Sequence, residues 1–372
     1  MDQNRPSQRH NRDHAGGAIS AVRPGPSQAV TASKASVPAL NQSIREDRPL
    51  ARVPMSIDAF LQVLAAGSGA SLGREQAPRM LAAAGTELLI GAGSIAPPQR
   101  RVLLGAAAGA GLAAVYNVPA AGVLFALGIA LHSWRPTAIL VATATSSIAT
   151  VTAWPISHSH GAPTSMWPPT VFTFQSALIA VTIMPAAALV GYAFKHLLIC
   201  SRPPVPPKSW ALVPAIGLAG LATGASSIWL PQLPGNGRSI LLVSLAATGS
   251  LAAGAGSLVA VALVIVLKPA LTALFIRAGA VGGLITPALA TGTATGASIA
   301  MAVNQLGGHA SIPASALIGG AAVLGVIQNA PIFGAVFTAE LTHPPLGICG
   351  LLLLAALGGH TARLAAHWAA RK

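Results

Sequence analysis

The chain has 372 residues, of which 53% are hydrophobic and only 8% are Asp, Glu, Lys or Arg. A soluble domain carries roughly 25% charged residues, so this sequence lacks the polar surface to face water on all sides, and its mean hydropathy of +0.65 agrees. Composition therefore excludes a water-soluble globular fold and leaves a multi-pass membrane protein.

The formal net charge is +14, and its placement is uneven. Five of the eight acids (Asp2, Asp13, Glu46, Asp47, Asp58) precede residue 60, leaving Glu75, Glu87 and Glu340 for the rest of the chain. Eight basic residues fall in the first 52 positions. A basic tail beside apolar spans fits the cytoplasmic membrane face, where anionic headgroups attract Lys and Arg. It lacks the aromatic residues that stack on bases, so nucleic acid is not an expected partner. Cys200 and Cys349 lie in or beside apolar runs and read as small hydrophobes.

In chain order, residues 1–53 are polar and rich in Ser, Arg, Gln, Asn and Pro; they read as a disordered tail without a signal peptide. A transmembrane domain is expected over 54–370. A helix needs about 20 apolar residues to span. Runs of that order are Val102–Val118, Thr137–Trp154, Thr170–Leu198, Ala211–Leu230, Ile240–Leu267 and Leu346–Leu364. Shorter or broken runs are Ala59–Leu72, Met80–Ile95, Ala120–Leu131, Ala288–Leu306 and Ile332–Leu341. The fold class is all-α, with about ten helical segments, some too short to cross alone.

Broken helices inside a bilayer carry meaning. A helix starting at membrane depth must aim its unpaired N–H groups at protein, water or a bound ion. Two such N-termini meeting near the midplane make an anion site from partial positive charge and free donors. Two Gly-rich openings qualify. The first is Gly67-Ser68-Gly69-Ala70-Ser71-Leu72-Gly73-Arg74-Glu75-Gln76-Ala77-Pro78. Glu75 is the functional candidate, because an ionisable group in an apolar region is costly; the plainer reading makes it a helix-dipole partner of Arg74 or Arg79. The second is Gly279-Ala280-Val281-Gly282-Gly283-Leu284-Ile285-Thr286-Pro287, for which a tight interhelical loop is the plainer reading.

Together the two motifs resemble the CLC family of voltage-gated chloride channels and chloride/proton antiporters. Gly73-Arg74-Glu75 is similar to its Gly-Arg/Lys-Glu-Gly-Pro signature, and Gly283 to Pro287 to its Gly-x-Phe-x-Pro signature. Tyr116 to Phe125, Pro231 to Gly237 and Asn329 to Thr342 resemble three further family stretches in the family order, so the resemblance covers about residues 54 to 365.

The resemblance implies an inverted-repeat helical membrane protein, usually a homodimer, in a bacterial inner or plasma membrane. Chloride is the implied ion, the lipid bilayer the implied surroundings, and no cofactor, metal site or enzymatic activity is expected. Glu75 matches the gating glutamate. The backbone amides of Gly73, Arg74, Glu75, Leu284 and Ile285 match anion-binding positions, with Gly283 and Pro287 supporting the motif. Departures exist. The family's early helices, including a Gly-Ser-Gly-x-Pro loop, have no counterpart ahead of Glu75, and a tyrosine on its last helix is missing. Gln76-Ala77-Pro78 stands where Gly-Pro is usual. Gly128 and Ile129 occupy the positions where exchangers carry an inner proton-relay glutamate, and neither Glu87 nor Glu340 matches that position. Channel-like conduction is the expected behaviour. Antiport, or a truncated homologue that does not conduct, is the alternative. His158-Ser159-His160 in a Pro-rich loop reads as solvated, not as a metal site.

Overall fold

A computed structural model describes residues 40–41, 43–44, 50–91, 95–157, 172–202, 209–247 and 257–369, all within one unit spanning 34–372. His158-Ser159-His160 and most of the polar tail lie outside the described residues. At the tail's end, Leu40, Ile44 and Leu50 are buried, the described residues 40–41 and 43–44 are helical, and a long helix already begins at Arg52.

From Arg52 onward thirteen α-helices, and no strands, occur among the described residues. They are α1 (Arg52–Gly67), α2 (Gln76–Ile90), α3 (Pro97–Tyr116), α4 (Pro119–Leu124), α5 (Pro136–Ser157), α6 (Phe174–Ser201) and α7 (Ser209–Ser227). There follow α8 (Arg238–Leu245), α9 (Leu258–Arg277), α10 (Ile285–Gln305), α11 (Ile312–Gln328), α12 (Pro331–Thr342) and α13 (Leu346–Ala369). A π-helix, Phe125–Leu131, continues α4. Five helices (α5, α6, α7, α9 and α13) are long and apolar enough to cross a membrane. The molecule is a multi-pass membrane protein.

Two expectations need correction. The run Ile240–Leu267 is not one helix: α8 ends at Leu245, and α9 starts afresh because Ser257 caps it, its hydroxyl accepting from the Ala260 N–H at 3.2 Å. The helix α11, absent from the apolar runs above, is almost wholly buried. It packs against α6, α10, α12 and α13.

Apolar side chains point outward as well as inward. Trp210, Val213, Leu218 and Leu221 on α7 are exposed, as are Leu140, Ile148 and Ile156 on α5. In water this would be a large apolar surface; in lipid it is the expected exterior. Polar groups turn inward or satisfy themselves. Along α10 the hydroxyls of Thr291, Thr293 and Thr295 each donate to a carbonyl three or four residues back, which lets them sit in an apolar layer without unpaired groups.

Close helix packing rests on small residues, as in other membrane bundles. A methyl group on Gly296 would run into the Ser315 carbonyl, and one on Gly111 into the Pro78 backbone. Thus α10 lies tightly on α11, and α3 on the first turn of α2.

The element order repeats. α3 ends on Asn117 in the left-handed region, φ 57°, and Pro119 starts α4. α11 ends on Asn329, φ 57°, and Pro331 starts α12. The π-helix that continues α4, and α12, each end on a left-handed histidine, His132 and His343. A long helix then follows each: Trp154 of α5 donates to Asn117 Oδ1 at 2.8 Å, and Arg363 of α13 donates to Asn329 Oδ1. Asparagine tolerates positive φ better than most residues, so it can turn the chain where proline must restart it.

Candidate functional site

The two Gly-rich motifs, far apart in sequence, meet in space. Gly73 and Gly283 form a reciprocal bridge, each N–H donating to the other's carbonyl at 2.8 Å. Other bonds fix the first motif. Thr272 of α9 donates to the Ser71 carbonyl at 2.8 Å, and the Gly235 N–H to the Gly69 carbonyl at 3.0 Å. The 231–237 loop is held in turn by Lys268, fully buried on α9, whose Nζ donates to the carbonyls of Leu233 and Gly235 at 3.0 and 2.6 Å.

Glu75 follows the bridge, fully buried at the N-cap of α2. Its side chain crosses to the start of α10. Oε1 accepts from the Ile285 N–H at 2.6 Å. Oε2 accepts from the Thr286 hydroxyl at 3.1 Å and the Tyr116 hydroxyl at 3.4 Å. A carboxylate here receives what a helix N-terminus gives any anion: free N–H donors and the positive end of the dipole. Pro287 in the first turn of α10 has no N–H to leave unpaired. The glycines are required by room. A methyl group on Gly73 or on Gly283 would overlap the Glu75 carboxylate.

Glu75, Ile285, Gly73, Gly283 and Pro287 therefore come together. Among the described residues Glu75 makes no close ion pair with Arg74 or Arg79, although its charge acts on Arg79; its hydrogen bonds go to α10 and Tyr116. Arg74 is exposed and lies over the Tyr116 ring, 5.8 Å from its centroid. Leu284 is the N-cap of α10; among the described residues its amide is not a donor to Glu75. Thr286 and Tyr116, by contrast, were not foreseen as partners of the acid. Thr286 sits between two singled-out motif positions, and Tyr116 opens another quoted stretch, but no spacing rule joins them across the fold.

The two acids that follow Glu75 in the chain are committed elsewhere. Glu87 pairs with Arg100 at 2.9 Å. Glu340 on α12 caps α4, accepting from the N–H groups of Ala120 and Ala121 at 2.8 and 2.7 Å. A cavity of about 130 Å³ opens beside the Glu75 cluster, lined by Arg74, Tyr116, Arg238, Thr286, Glu340 and His343 among others. No group of three or more potential metal ligands occurs among the described residues.

The sequence model of the family described as voltage gated chloride channel matches residues 26–363. A ClcB-like protein of Ralstonia nicotianae, named as a chloride channel protein, is 30% identical over 308 residues, covering 79% of this chain and 68% of that one. The H(+)/Cl(-) exchange transporter ClcA of Cronobacter sakazakii is 28% identical over 255 residues, 65% of this chain and 52% of its own. The chain thus spans about half the length of that ClcA relative. Among solved structures, a slow cyanobacterial Cl-/H+ antiporter aligns with a TM-score of 0.71 at 20% identity, over 89% of this chain and 77% of that one. A CLC-type fluoride/proton antiporter aligns at 0.67 and 20%, over 88% and 79%. The shared fold extends across nearly all of the helical unit. With the family match over most of its length, the chain belongs to the voltage-gated chloride channel (CLC) family.

Proposed function

We propose that this protein moves anions across a lipid bilayer, chloride being the expected ion, with Glu75 as the gate. The observation that carries the reading is the 2.6 Å hydrogen bond from the Ile285 N–H to Glu75 Oε1. The carboxylate occupies the seat a chloride would use, so ion and side chain exclude one another. Neutral amide donors suit turnover, because they replace hydration without the tight hold of a formal counter-charge. The amides of Arg74 and Leu284 are assigned to the path on either side, whereas the Gly73 N–H is committed to the Gly283 carbonyl. Protonation of Glu75 removes its charge, weakens its claim on the α10 N-terminus and frees the seat. Transport, not chemistry on a substrate, is the task, and a homodimer is the assembly assigned.

Channel-like conduction is the first reading, because Gly128 and Ile129 cannot carry a proton. Coupled chloride/proton exchange is the second, favoured by the ClcA relative being named an exchange transporter. The purified chain in liposomes, with chloride efflux and proton uptake recorded together, tests both. Chloride efflux with no linked proton movement is expected, and uphill proton movement driven by chloride would select exchange. No chloride flux from wild type or Glu75→Gln would end the transport reading.

A further inference from the structure

Helices α6, α11 and α13 pack against one another and meet in one tight contact. A methyl group on Gly191 of α6 would strike the Val326 side chain of α11, and one on Gly359 of α13 would touch the same valine. One turn further along α6 stands Lys195, and one turn further along α13 stands Arg363. Asn329, the C-cap of α11, follows three residues after Val326. Arg363 donates from Nη2 to Asn329 Oδ1. The charge of Arg363 acts on Lys195, and both act on His360, three residues earlier on the same face of α13.

Like charges gathered in this way repel, and partial burial raises the cost. Among the described residues no carboxylate offsets it. Asp58 accepts from Gln62, Glu87 pairs with Arg100, and Glu75 and Glu340 each cap a helix start. Two nitrogens of the cluster, Arg363 Nε and His360 Nδ1, are also buried without a hydrogen-bond partner. Cations near helix C-termini complement the dipoles, but that leaves these two nitrogens unsatisfied. Oxygen acceptors that carry negative charge answer both needs, and none of the described acids brings them here.

The surroundings identify their source. Lys195 and Arg363 each lie six residues before the end of a helix long and apolar enough to cross a bilayer. The cluster therefore sits where such helices leave the hydrocarbon core. Trp368, five residues beyond Arg363, is exposed, as tryptophans at a membrane boundary are. Arg202, the C-cap of α6, extends the basic end.

We infer that Lys195, His360 and Arg363 form a binding site for the phosphate of an anionic phospholipid headgroup, reached from the surrounding leaflet. A guanidinium fits phosphate oxygens in a fork and a lysine adds a point charge, and basic pockets between membrane helices suit such headgroups. The site shares no residue with the Glu75 cluster, and the inference does not depend on conduction.

Native mass spectrometry of the full chain in detergent, with phosphatidylglycerol or phosphatidylcholine added in equal amounts, reads the binding directly. Wild type should retain phosphatidylglycerol in preference to phosphatidylcholine. Lys195→Gln and Arg363→Gln should each weaken that binding about fivefold, whereas Lys195→Arg, which keeps the charge, should preserve it. The melting temperature in the same detergent gives a second reading: phosphatidylglycerol should raise it in wild type and not in the Lys195→Gln/Arg363→Gln double variant. Equal retention of the two lipids, or a preference that survives in the double variant, overturns the inference. An equal rise in melting temperature from inorganic phosphate alone would overturn the lipid assignment and make the ligand a free anion.

Discussion

Thr286→Val tests the seat most cleanly. The substitution keeps the shape of the side chain and the Ile285 N–H but removes the hydroxyl that donates to Glu75 Oε2 at 3.1 Å. A hydrogen bond to a charged acceptor contributes about 1.5–3 kcal/mol. Because Tyr116 shares the same oxygen at 3.4 Å, the lower end applies. About 1.5 kcal/mol shifts the seated and unseated forms of Glu75 by roughly tenfold. Chloride efflux from liposomes at neutral pH should therefore rise about tenfold while the seated form dominates. A double-mutant cycle with Glu75→Gln supplies the control: in that background Thr286→Val should add nothing. Equal increments in both backgrounds, or no change in either, would show that Thr286 does not act through Glu75.

Three further substitutions probe the frame around the site. Glu340→Ala leaves the Ala120 and Ala121 N–H groups uncapped and should lower stability by about 1–2 kcal/mol, read as a fall in melting temperature in detergent. Arg100→Met leaves the largely buried Glu87 carboxylate without its counter-charge. It should cost about 3 kcal/mol, and Glu87→Gln added to it should restore most of that loss in the same melts. Gly296→Val would force α10 off the Ser315 carbonyl of α11. Overpacking costs about 1–3 kcal/mol or more, so the yield of monodisperse protein on size-exclusion chromatography should drop sharply, with Gly296→Ala intermediate.

What could be read from sequence, and what could not, divides along physical lines. Glu75 stood out because a carboxylate in an apolar stretch has few tolerable places, and Gly73 and Gly283 because small residues permit backbones to touch. The helix starts at Pro97, Pro119, Pro136 and Pro331 follow from proline's fixed φ and missing N–H. By contrast, α11 escaped notice because its 17 residues fall short of a full span, and a helix buried on all sides has no polar face to give it a period. The division between α8 and α9 was hidden by the Ala-rich composition around it, although Ser257 was a legible cap. The π-helix at Phe125–Leu131 carries no local signal. Tyr116 and Thr286 became visible only once α2, α3 and α10 were brought together, since their meaning lies in tertiary neighbours and not in spacing.

The reciprocal bond between Gly73 and Gly283 also orders events during synthesis. A ribosome that has released the acid has not yet made the strand-like partner that will clasp it, and most of the chain must emerge and enter the lipid in between. Until then the newborn protein holds an unsheltered negative charge at the head of a short helix. Closure of the clasp around Glu75 is thus a late step of biogenesis.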